Sequence, residues 1–202
     1  MKRIILDLCG GSGSWSKPYA DAGYDVRLVT LPDGDVRTYK PPANVYGILA
    51  APPCTEFSIA KSHKIQRDLD AGMEIVNACT RIIRECNPKF YAIENPSGML
   101  AQFLGEPQFS FQPWMYGDGW TKRTLLWGTF HTPIWQYKRW EDVPKIEGLY
   151  IRPGRKTASL AFQHLSHKKF IRAMDPFDAT DDASFRAITA PGFARAFFEA
   201  NP

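Results

Sequence analysis

The chain has 202 residues, of which 44% are hydrophobic and 23% are charged, a length and balance that are ordinary for a globular domain with a full core. Its net charge of +4 permits a polyanionic partner without requiring one, because enzymes of small anionic metabolites carry similar charge. No run is long and apolar enough to predict a membrane span, and four cysteines without CxxC spacing argue against a disulfide or zinc framework, so we expect a cytoplasmic protein without a metal site.

Strands and helices are predicted to alternate along the first 130 residues. Short apolar runs predict strands at 4–8, 25–30, 44–51, 89–95 and 124–130. Residues 14–24 and 68–87 are predicted to be helices, and the second of these has apolar residues at helical spacing and ends at Asn87-Pro88. This alternation predicts an α/β fold in which crossover helices connect the strands of a parallel sheet.

The character of the sequence changes after residue 130. The next 55 or so residues are rich in proline, aromatic residues and cations and show little periodicity, whereas the end of the chain predicts a short helix. We therefore divide the chain into a core (1–130), an irregular segment (131–185) and a C-terminal helix that returns to the core (186–202).

A glycine loop, DLCGGSGS at residues 7–14, follows the first predicted strand and precedes a helix. Small residues let the backbone approach a ligand closely, and a helix start offers N–H donors and positive potential. The loop therefore predicts a site for a nucleotide-type cofactor, although it lacks both the GxGxxG and the Walker patterns. The alternative is a tight turn without a ligand.

A cysteine follows two prolines at the end of a predicted buried strand. Pro52 and Pro53 lack a backbone N–H and cannot continue a sheet interior, so they hold Cys54 at the rim. Glu94 lies at the corresponding end of another strand, and the carboxyl ends of parallel strands share one edge. A thiolate beside a carboxylic acid suits covalent catalysis, and burial would raise the pKa of Glu94 enough for it to act as an acid. The alternatives are an inert core cysteine and a solvated turn residue.

Cations and aromatic residues are concentrated in the segment 151–172. Its cations are Arg152, Arg155, Lys156, Lys168, Lys169 and Arg172. Neutralisation of phosphates by such a segment would make binding of nucleic acid depend strongly on salt. A solvated surface loop is the alternative.

Six segments, in order along the chain, resemble motifs of the DNA (cytosine-5) methyltransferase family. They are DLCGGSGSWS, GDV (34–36), PPCTEFS, NPKFYAIEN, TKRTLLWG and RAITAPGFAR (186–195). The resemblance implies a Rossmann-like class I methyltransferase fold, a mostly parallel sheet flanked by helices with a short irregular C-terminal region. It also implies that 131–185 is a reduced target-recognition segment.

The resemblance further implies a reaction. Cys54 would attack carbon 6 of cytosine, Glu94 would protonate ring nitrogen 3, Asn95 would hold the Glu94 loop, and Arg123 would touch the base or the Cys54 side of the site. The implied cofactor is S-adenosylmethionine or a modified derivative, and the implied substrate is an extruded or single-stranded cytosine in DNA. Cofactor contacts would come from Asp7, Cys9, Gly10, Gly11, Gly13, Ser14, Trp15, Asp35 and Pro52. DNA contacts would come from Ser58, Lys61, Lys64, Arg155, Lys156, Lys168 and Lys169.

The sequence departs from the family pattern in places. Thr30 or Leu31 stands where an acid for the ribose is expected, and Thr121 replaces the first of two arginines. Only residues 129–185 separate the arginine strand from the late motif, as in small phage-encoded relatives. Reduced sequence specificity, a single-stranded substrate, or a helper or partner subunit would each fit, in a bacterial or phage-infected cell. An RNA cytosine-5 methyltransferase and a non-catalytic nucleic-acid-binding relative stay open as alternatives.

Overall fold

The computed structural model describes residues 2–59 and 66–202 and contains a six-stranded sheet between helices. The strands are β1 (Ile4–Leu8), β2 (Asp25–Val29), β3 (Val45–Ala50), β4 (Phe90–Pro96), β5 (Phe109–Phe111) and β6 (Thr124–Thr129). The helices are α1 (Lys17–Asp21), α2 (Leu69–Cys86), α3 (Ala101–Leu104), α4 (Asp182–Ala187) and α5 (Pro191–Ala200). Single 3-10 turns lie at Pro113–Tyr116, Trp140–Asp142, Leu160–Phe162, Leu165–Phe170 and Arg172–Met174.

The strand order is β2-β1-β3-β4-β6-β5. β1 pairs in parallel with β2 and β3, and β3 pairs in parallel with β4. β6 is antiparallel to both β4 and β5, so the expectation of a parallel sheet is wrong for this strand. The chain enters β6 from β5 through a short 3-10 turn, without the crossover helix that a parallel connection needs. The fold is nevertheless the Rossmann-like, mostly parallel α/β architecture expected from the sequence.

Apolar side chains cover both faces of the sheet. On one face, the buried side of α2 packs Val76, Cys79 and Ile82 against strand residues such as Ile48. This helix begins where Asp68 accepts a hydrogen bond from the N–H of Ala71 at 2.9 Å, and it ends at Asn87, whose φ of 43° is left-handed. The predicted helix at 68–87 is thus confirmed to within a residue at each end.

The other face of the sheet is covered by α1, α5 and the irregular segment. Phe193 and Phe197 of α5 are fully buried, and Leu160 and Met174 of the irregular segment belong to the same core cluster. The described segment 131–185 therefore packs onto the main core. It contains 3-10 turns rather than strands or long helices before α4, in keeping with its lack of periodicity. None of the helices in the described residues is both long and apolar enough to span a membrane.

Candidate active site

The glycine loop and the two predicted catalytic segments meet at one edge of the sheet. β1 is flanked by β2 on one side and β3 on the other, so chain connections diverge at the carboxyl ends of β1 and β3. Because β6 runs antiparallel to β4, the residues that precede β6 reach this same edge, where Thr124 pairs with Pro96. The segments that follow β1, β3 and β4 and the segment that precedes β6 therefore all lie at this edge.

Cys54 and Glu94 lie within electrostatic range of each other at this edge. Cys54 is half-buried, and burial raises the pKa of its thiol; the Glu94 carboxyl raises that pKa further, whereas Lys122 opposes the rise. The Glu94 side chain is 14% exposed, and burial raises its pKa above the ordinary value, with Lys122 again acting in the opposite direction. The structure therefore brings together the thiol and the acid that the sequence paired.

Asn95 connects the strand that carries Glu94 to the loop that carries Cys54. Ala50 of β3 pairs with Ile93 of β4, so Pro52 and Asn95, each two residues farther on, lie side by side. The Asn95 side chain is fully buried, and its Nδ2 donates to the carbonyl of Pro52 at 2.8 Å. Pro52, predicted to contact a cofactor, is itself buried, so its part in the described structure is to accept this hydrogen bond.

A second connection joins the two loops beyond Asn95. The N–H groups of Phe57 and Ser58 donate to the carbonyl of Cys54 at 3.0 and 2.8 Å, and the N–H of Met99 donates to the carbonyl of Phe57 at 2.8 Å. Ser58 forms an isolated antiparallel bridge with Gly98. A Cβ at Gly98 would lie 2.2 Å from the carbonyl oxygen of Phe57, so only glycine permits this approach. The predicted DNA contacts Lys61 and Lys64 lie outside the described residues.

Lys122 is a residue of the site that the sequence analysis missed. Its Nζ lies 3.9 Å from Oε1 of Glu94 and 3.3 Å from the carbonyl of Arg186, and its side chain is 23% exposed. The predicted residue Arg123 is exposed instead, and it forms no ion pair with any other described residue. Successive side chains along an extended backbone point to opposite sides, so only one of these two neighbouring cations can face Glu94, and the alternation alone does not say which one.

The glycine loop contains three residues in the left-handed region. Cys9, Gly11 and Gly13 have positive φ values of 56°, 54° and 69°. A Cβ at Gly10 would lie 2.2 Å from Oδ1 of Asp7, whereas a Cβ at Gly11 would have no neighbour within 4 Å. The loop therefore packs closely on its inner side at Gly10 and is open on its outer side at Gly11.

Three of the predicted cofactor contacts point inward and support the loop instead. Asp7 is fully buried, and Oγ of Ser16 donates to its Oδ2 at 2.5 Å; burial raises the pKa of Asp7 to about 6. Ser14 Oγ accepts a hydrogen bond from the N–H of Thr189 at 2.8 Å. Trp15 is 1% exposed. In this conformation a ligand cannot touch these three side chains, because the loop turns them into the interior.

Trp15 packs against the C-terminal helix. Its ring lies 6.1 Å from that of Phe193 and 5.3 Å from that of Phe197, the latter edge to face. The late segment 186–195 thus packs beneath the glycine loop, through the contacts of Thr189 with Ser14 and of Phe193 with Trp15. This contact explains why a helix at the end of the chain belongs to the same site as a loop at its start.

Asp35 remains beside the glycine loop but is already paired. Its carboxylate lies 2.6 Å from Nη2 of Arg37, and that hydrogen-bonded guanidinium lowers the pKa of the carboxyl. Asp35 and Asp7 both act electrostatically on Cys9, which places Asp35 on the loop's side of the sheet. Beyond β2, Leu31 is 66% exposed, so the position expected to hold a ribose-binding acid presents an apolar side chain.

The predicted DNA-binding cations differ in their surroundings. Arg155, Lys156 and Lys169 are exposed. Lys168 is half-buried, and its Nζ donates to the carbonyl of Phe177. One of the three donors of the Lys168 ammonium is therefore used within the protein, and its contact with DNA stays a prediction.

Known proteins match parts of the chain. Residues 17–107 match the family model of C-5 cytosine-specific DNA methylases. The Type II methyltransferase M.NgoPII of Neisseria gonorrhoeae is 28% identical over 118 residues, which is 48% of this chain and 34% of that protein. A crystal structure from E. coli, described as a candidate DNA modification methyltransferase encoded within a prophage, covers 63% of this chain and 47% of its own, at 18% identity and a TM-score of 0.46.

The extent of these matches is limited. This chain spans about a third of the length of the curated relative that it matches. The matched span nevertheless contains β3, α2 and β4, and with them both Cys54 and Glu94. Over residues 17–107, this chain is similar to the C-5 cytosine-specific DNA methylase family.

Proposed function

We propose that this protein transfers a methyl group from S-adenosylmethionine to carbon 5 of cytosine in DNA, through a covalent adduct at Cys54. The observation that carries the proposal is the meeting of a half-buried thiol and a buried carboxyl group at the carboxyl edge of the sheet. The similarity of residues 17–107 to that family supports the choice of reaction, and the glycine loop at the same edge supports the choice of cofactor.

The glycine loop fits a cofactor at its outer side. Cys9, Gly11 and Gly13 have positive φ values, and the side chain position at Gly11 is open. Gly10, Gly11 and Gly13 would hold the cofactor by their backbone, while Asp7 and Trp15 would support the loop from inside. S-adenosylmethionine, when bound, supplies the activated methyl group that carbon 5 accepts.

The chain's own residues account for the activation of cytosine. The thiolate of Cys54 forms a bond to carbon 6, and the electron pair of the carbon 5–carbon 6 double bond moves toward carbon 5. Glu94, whose pKa is raised by burial, is suited to donate a proton or a hydrogen bond to ring nitrogen 3, which draws electrons away from carbon 6. After carbon 5 has accepted the methyl group, a water molecule takes the carbon 5 proton and the electron pair of that C–H bond re-forms the carbon 5–carbon 6 double bond. Cys54 then leaves as the thiolate, and ring nitrogen 3 returns its proton to Glu94.

Lys122 would balance the charges of this site. Burial disfavours the Cys54 thiolate, and a cation at 3.9 Å from Glu94 favours the charged forms of both side chains. We therefore assign Lys122 a positioning role, in which it stabilises the thiolate before cytosine enters and remains paired to Glu94. Arg123, one residue away and exposed, provides the matched comparison.

A covalent trap tests the reaction. The protein is incubated with S-adenosylmethionine and a short DNA oligonucleotide that contains one 5-fluorocytosine, which blocks the final proton loss. We expect an adduct that survives denaturation and that disappears in Cys54→Ser, while 5-methylcytosine appears in unmodified DNA by mass spectrometry of nucleosides. Adduct on the RNA version alone would favour an RNA methyltransferase, and tight DNA binding without adduct would favour a non-catalytic relative. Methylation by Cys54→Ser would contradict the mechanism.

A further inference from the structure

We propose that a cavity beside the active site, here called the arginine pocket, binds one phosphodiester group of the DNA strand next to the target cytosine. The cavity has a volume of about 260 Å³ and lies between the chain that enters β6, at Thr121, and the segment 150–162. This inference rests on the proposed function, because it assigns a subsite to the same substrate.

Hydrogen bonds fix the walls of the arginine pocket. The fully buried side chain of Gln163 accepts from the N–H of Tyr150 at 2.9 Å and donates to the carbonyls of Tyr150 and Ser159 at 2.8 and 3.0 Å. Thr121 forms a parallel bridge with Ser159, and its N–H donates to the carbonyl of Ala158 at 2.8 Å. Segment 150–162 is thereby attached to the strand that carries Lys122, so the pocket has a fixed place relative to Glu94.

The lining of the arginine pocket suits an anion with an attached ring. Arg152 and Arg155 both line it, and neither forms an ion pair with another residue in the described ranges. Thr121, Thr157 and Ser159 also line it; the Thr121 hydroxyl donates to the carbonyl of Ala158 at 3.2 Å, which leaves the hydroxyl groups of Thr157 and Ser159 as candidate donors. A guanidinium offers a planar fork of donors that matches a phosphate, and hydroxyl groups can donate to its remaining oxygens.

Two exposed rings extend this surface. Tyr150 and Phe162 line the arginine pocket and are 48% and 42% exposed, and the guanidinium of Arg152 lies over the Phe162 ring at 4.6 Å from its centre. Aromatic rings beside arginines are typical of surfaces that bind single-stranded nucleic acid, because sugars and bases stack on the rings while phosphates meet the cations.

Size and position favour a flanking nucleotide over a separate ligand. The cavity is smaller than the roughly 300 Å³ at which sites for whole small molecules begin, so it suits a phosphate with part of its sugar. Thr121 immediately precedes Lys122, whose Nζ lies 3.9 Å from Glu94. The pocket thus adjoins the chain that carries Lys122, and the proposal assigns it to a phosphate that flanks the target cytosine.

The test compares Arg152→Ala/Arg155→Ala with Lys138→Ala/Arg139→Ala, which removes two exposed cations of the irregular segment that do not line the pocket. Affinity for a fluorescent single-stranded deoxyoligonucleotide with one cytosine is measured by anisotropy across a range of NaCl concentrations. We expect Arg152→Ala/Arg155→Ala to bind at least about tenfold more weakly, with a salt slope reduced by about 1, and Lys138→Ala/Arg139→Ala to lose less than about threefold. Binding of S-adenosylmethionine should be unchanged in both variants.

Equal losses in Arg152→Ala/Arg155→Ala and in Lys138→Ala/Arg139→Ala, or no loss in Arg152→Ala/Arg155→Ala, would overturn the inference. Tighter binding of the matching RNA with the same dependence on the two arginines would assign the pocket to RNA instead of DNA. Arg152→Lys/Arg155→Lys keeps the charge without the guanidinium fork and should recover only part of the affinity, which gives a second reading if the alanine variant folds poorly. If the wild-type protein binds DNA in this way yet makes no 5-methylcytosine, the proposed reaction fails while the pocket stands.

Discussion

The amide nitrogen of Asn95 donates to the carbonyl of Pro52 at 2.8 Å, across the ends of two parallel strands. This hydrogen bond lies one residue from Glu94 and two residues from Cys54, so it sets the spacing between the candidate acid and the candidate nucleophile. β3 ends at Ala50, and Pro52 cannot continue the sheet because it lacks an N–H group. The carbonyl of Pro52 therefore lies beyond the strand, where it can accept the hydrogen bond from the Asn95 side chain.

Replacing Asn95 should therefore lower both the free energy of unfolding and the rate of adduct formation at Cys54. We expect Asn95→Ala to lower the free energy of unfolding by about 1–3 kcal/mol, because the buried Pro52 carbonyl loses its donor. The rate of adduct formation with 5-fluorocytosine should fall by about 10- to 100-fold, since Cys54 and Glu94 lose their fixed spacing. Urea unfolding and adduct kinetics measure the two effects.

Asn201 provides a control for that experiment. It is also buried, and its amide donates to the carbonyl of His131 at 2.9 Å, among residues that do not line the candidate active site. Asn201→Ala should reduce stability to a similar extent while the adduct rate of the folded protein stays near the wild-type value. A similar loss of adduct rate in both variants would mean that Asn95 acts only through stability.

Changing Glu94→Gln should raise the rate at which Cys54 is alkylated and lower the rate at which Cys54 forms an adduct with cytosine. The carboxyl of Glu94 raises the pKa of the Cys54 thiol, so its removal should make alkylation of Cys54 by iodoacetamide at pH 7 faster. Adduct formation with 5-fluorocytosine should nevertheless fall by about 10²- to 10⁴-fold, because the acid for ring nitrogen 3 is lost. Site-resolved mass spectrometry after alkylation and gel analysis of adducts check the two rates. A parallel decrease of both would point to a misplaced cysteine rather than a lost acid.

Changing Lys122→Met should have the reverse effect on the thiol. Lys122 lowers the pKa values of both Cys54 and Glu94, so without it both should rise and alkylation of Cys54 should require higher pH. The pH profile of Cys54 alkylation measures this shift. Arg123→Met removes an adjacent but exposed cation and should leave the profile unchanged. Equal shifts in the two variants would show a general effect of surface charge and would remove the role assigned to Lys122.

The sequence was sufficient to predict elements with a long apolar pattern and residues that lie at the ends of strands. The apolar runs at 4–8 and 89–95 coincide with β1 and β4, and Cys54 meets Glu94 because the ends of parallel strands share an edge. β5 was missed because three residues carry no readable period. The helix predicted from residue 14 begins only at Lys17, because the glycine loop continues through a turn.

The sequence was insufficient where the direction of a side chain decides its role. Trp15 follows a glycine loop, yet the loop turns it toward Phe193 and Phe197, which lie about 180 residues later in the chain. Likewise, nothing local predicts that β6 runs antiparallel and brings Lys122 rather than Arg123 to Glu94. Contacts of this kind depend on tertiary packing, which local patterns do not encode.

A buried carboxyl group at the start of α5 should make stability depend on pH. Asp118 is 6% exposed and accepts hydrogen bonds from the N–H of Gly192, at 3.1 Å to Oδ2, and burial raises its pKa to about 7. The folded protein therefore holds a proton on this carboxyl between about pH 4 and pH 7, where the unfolded chain has released it. The stabilising contribution of this proton is present at low pH and is lost as the pH rises toward 7, with an upper bound of about 4 kcal/mol.

Asp118→Asn cannot titrate, so the difference in unfolding free energy between the wild-type protein and this variant should change in favour of the variant from pH 4.5 to pH 7.5. Urea unfolding at both pH values measures that difference. A constant difference would mean that the Asp118 carboxyl titrates alike in the folded and unfolded chains, and that the N–H groups of α5 hold it ionised.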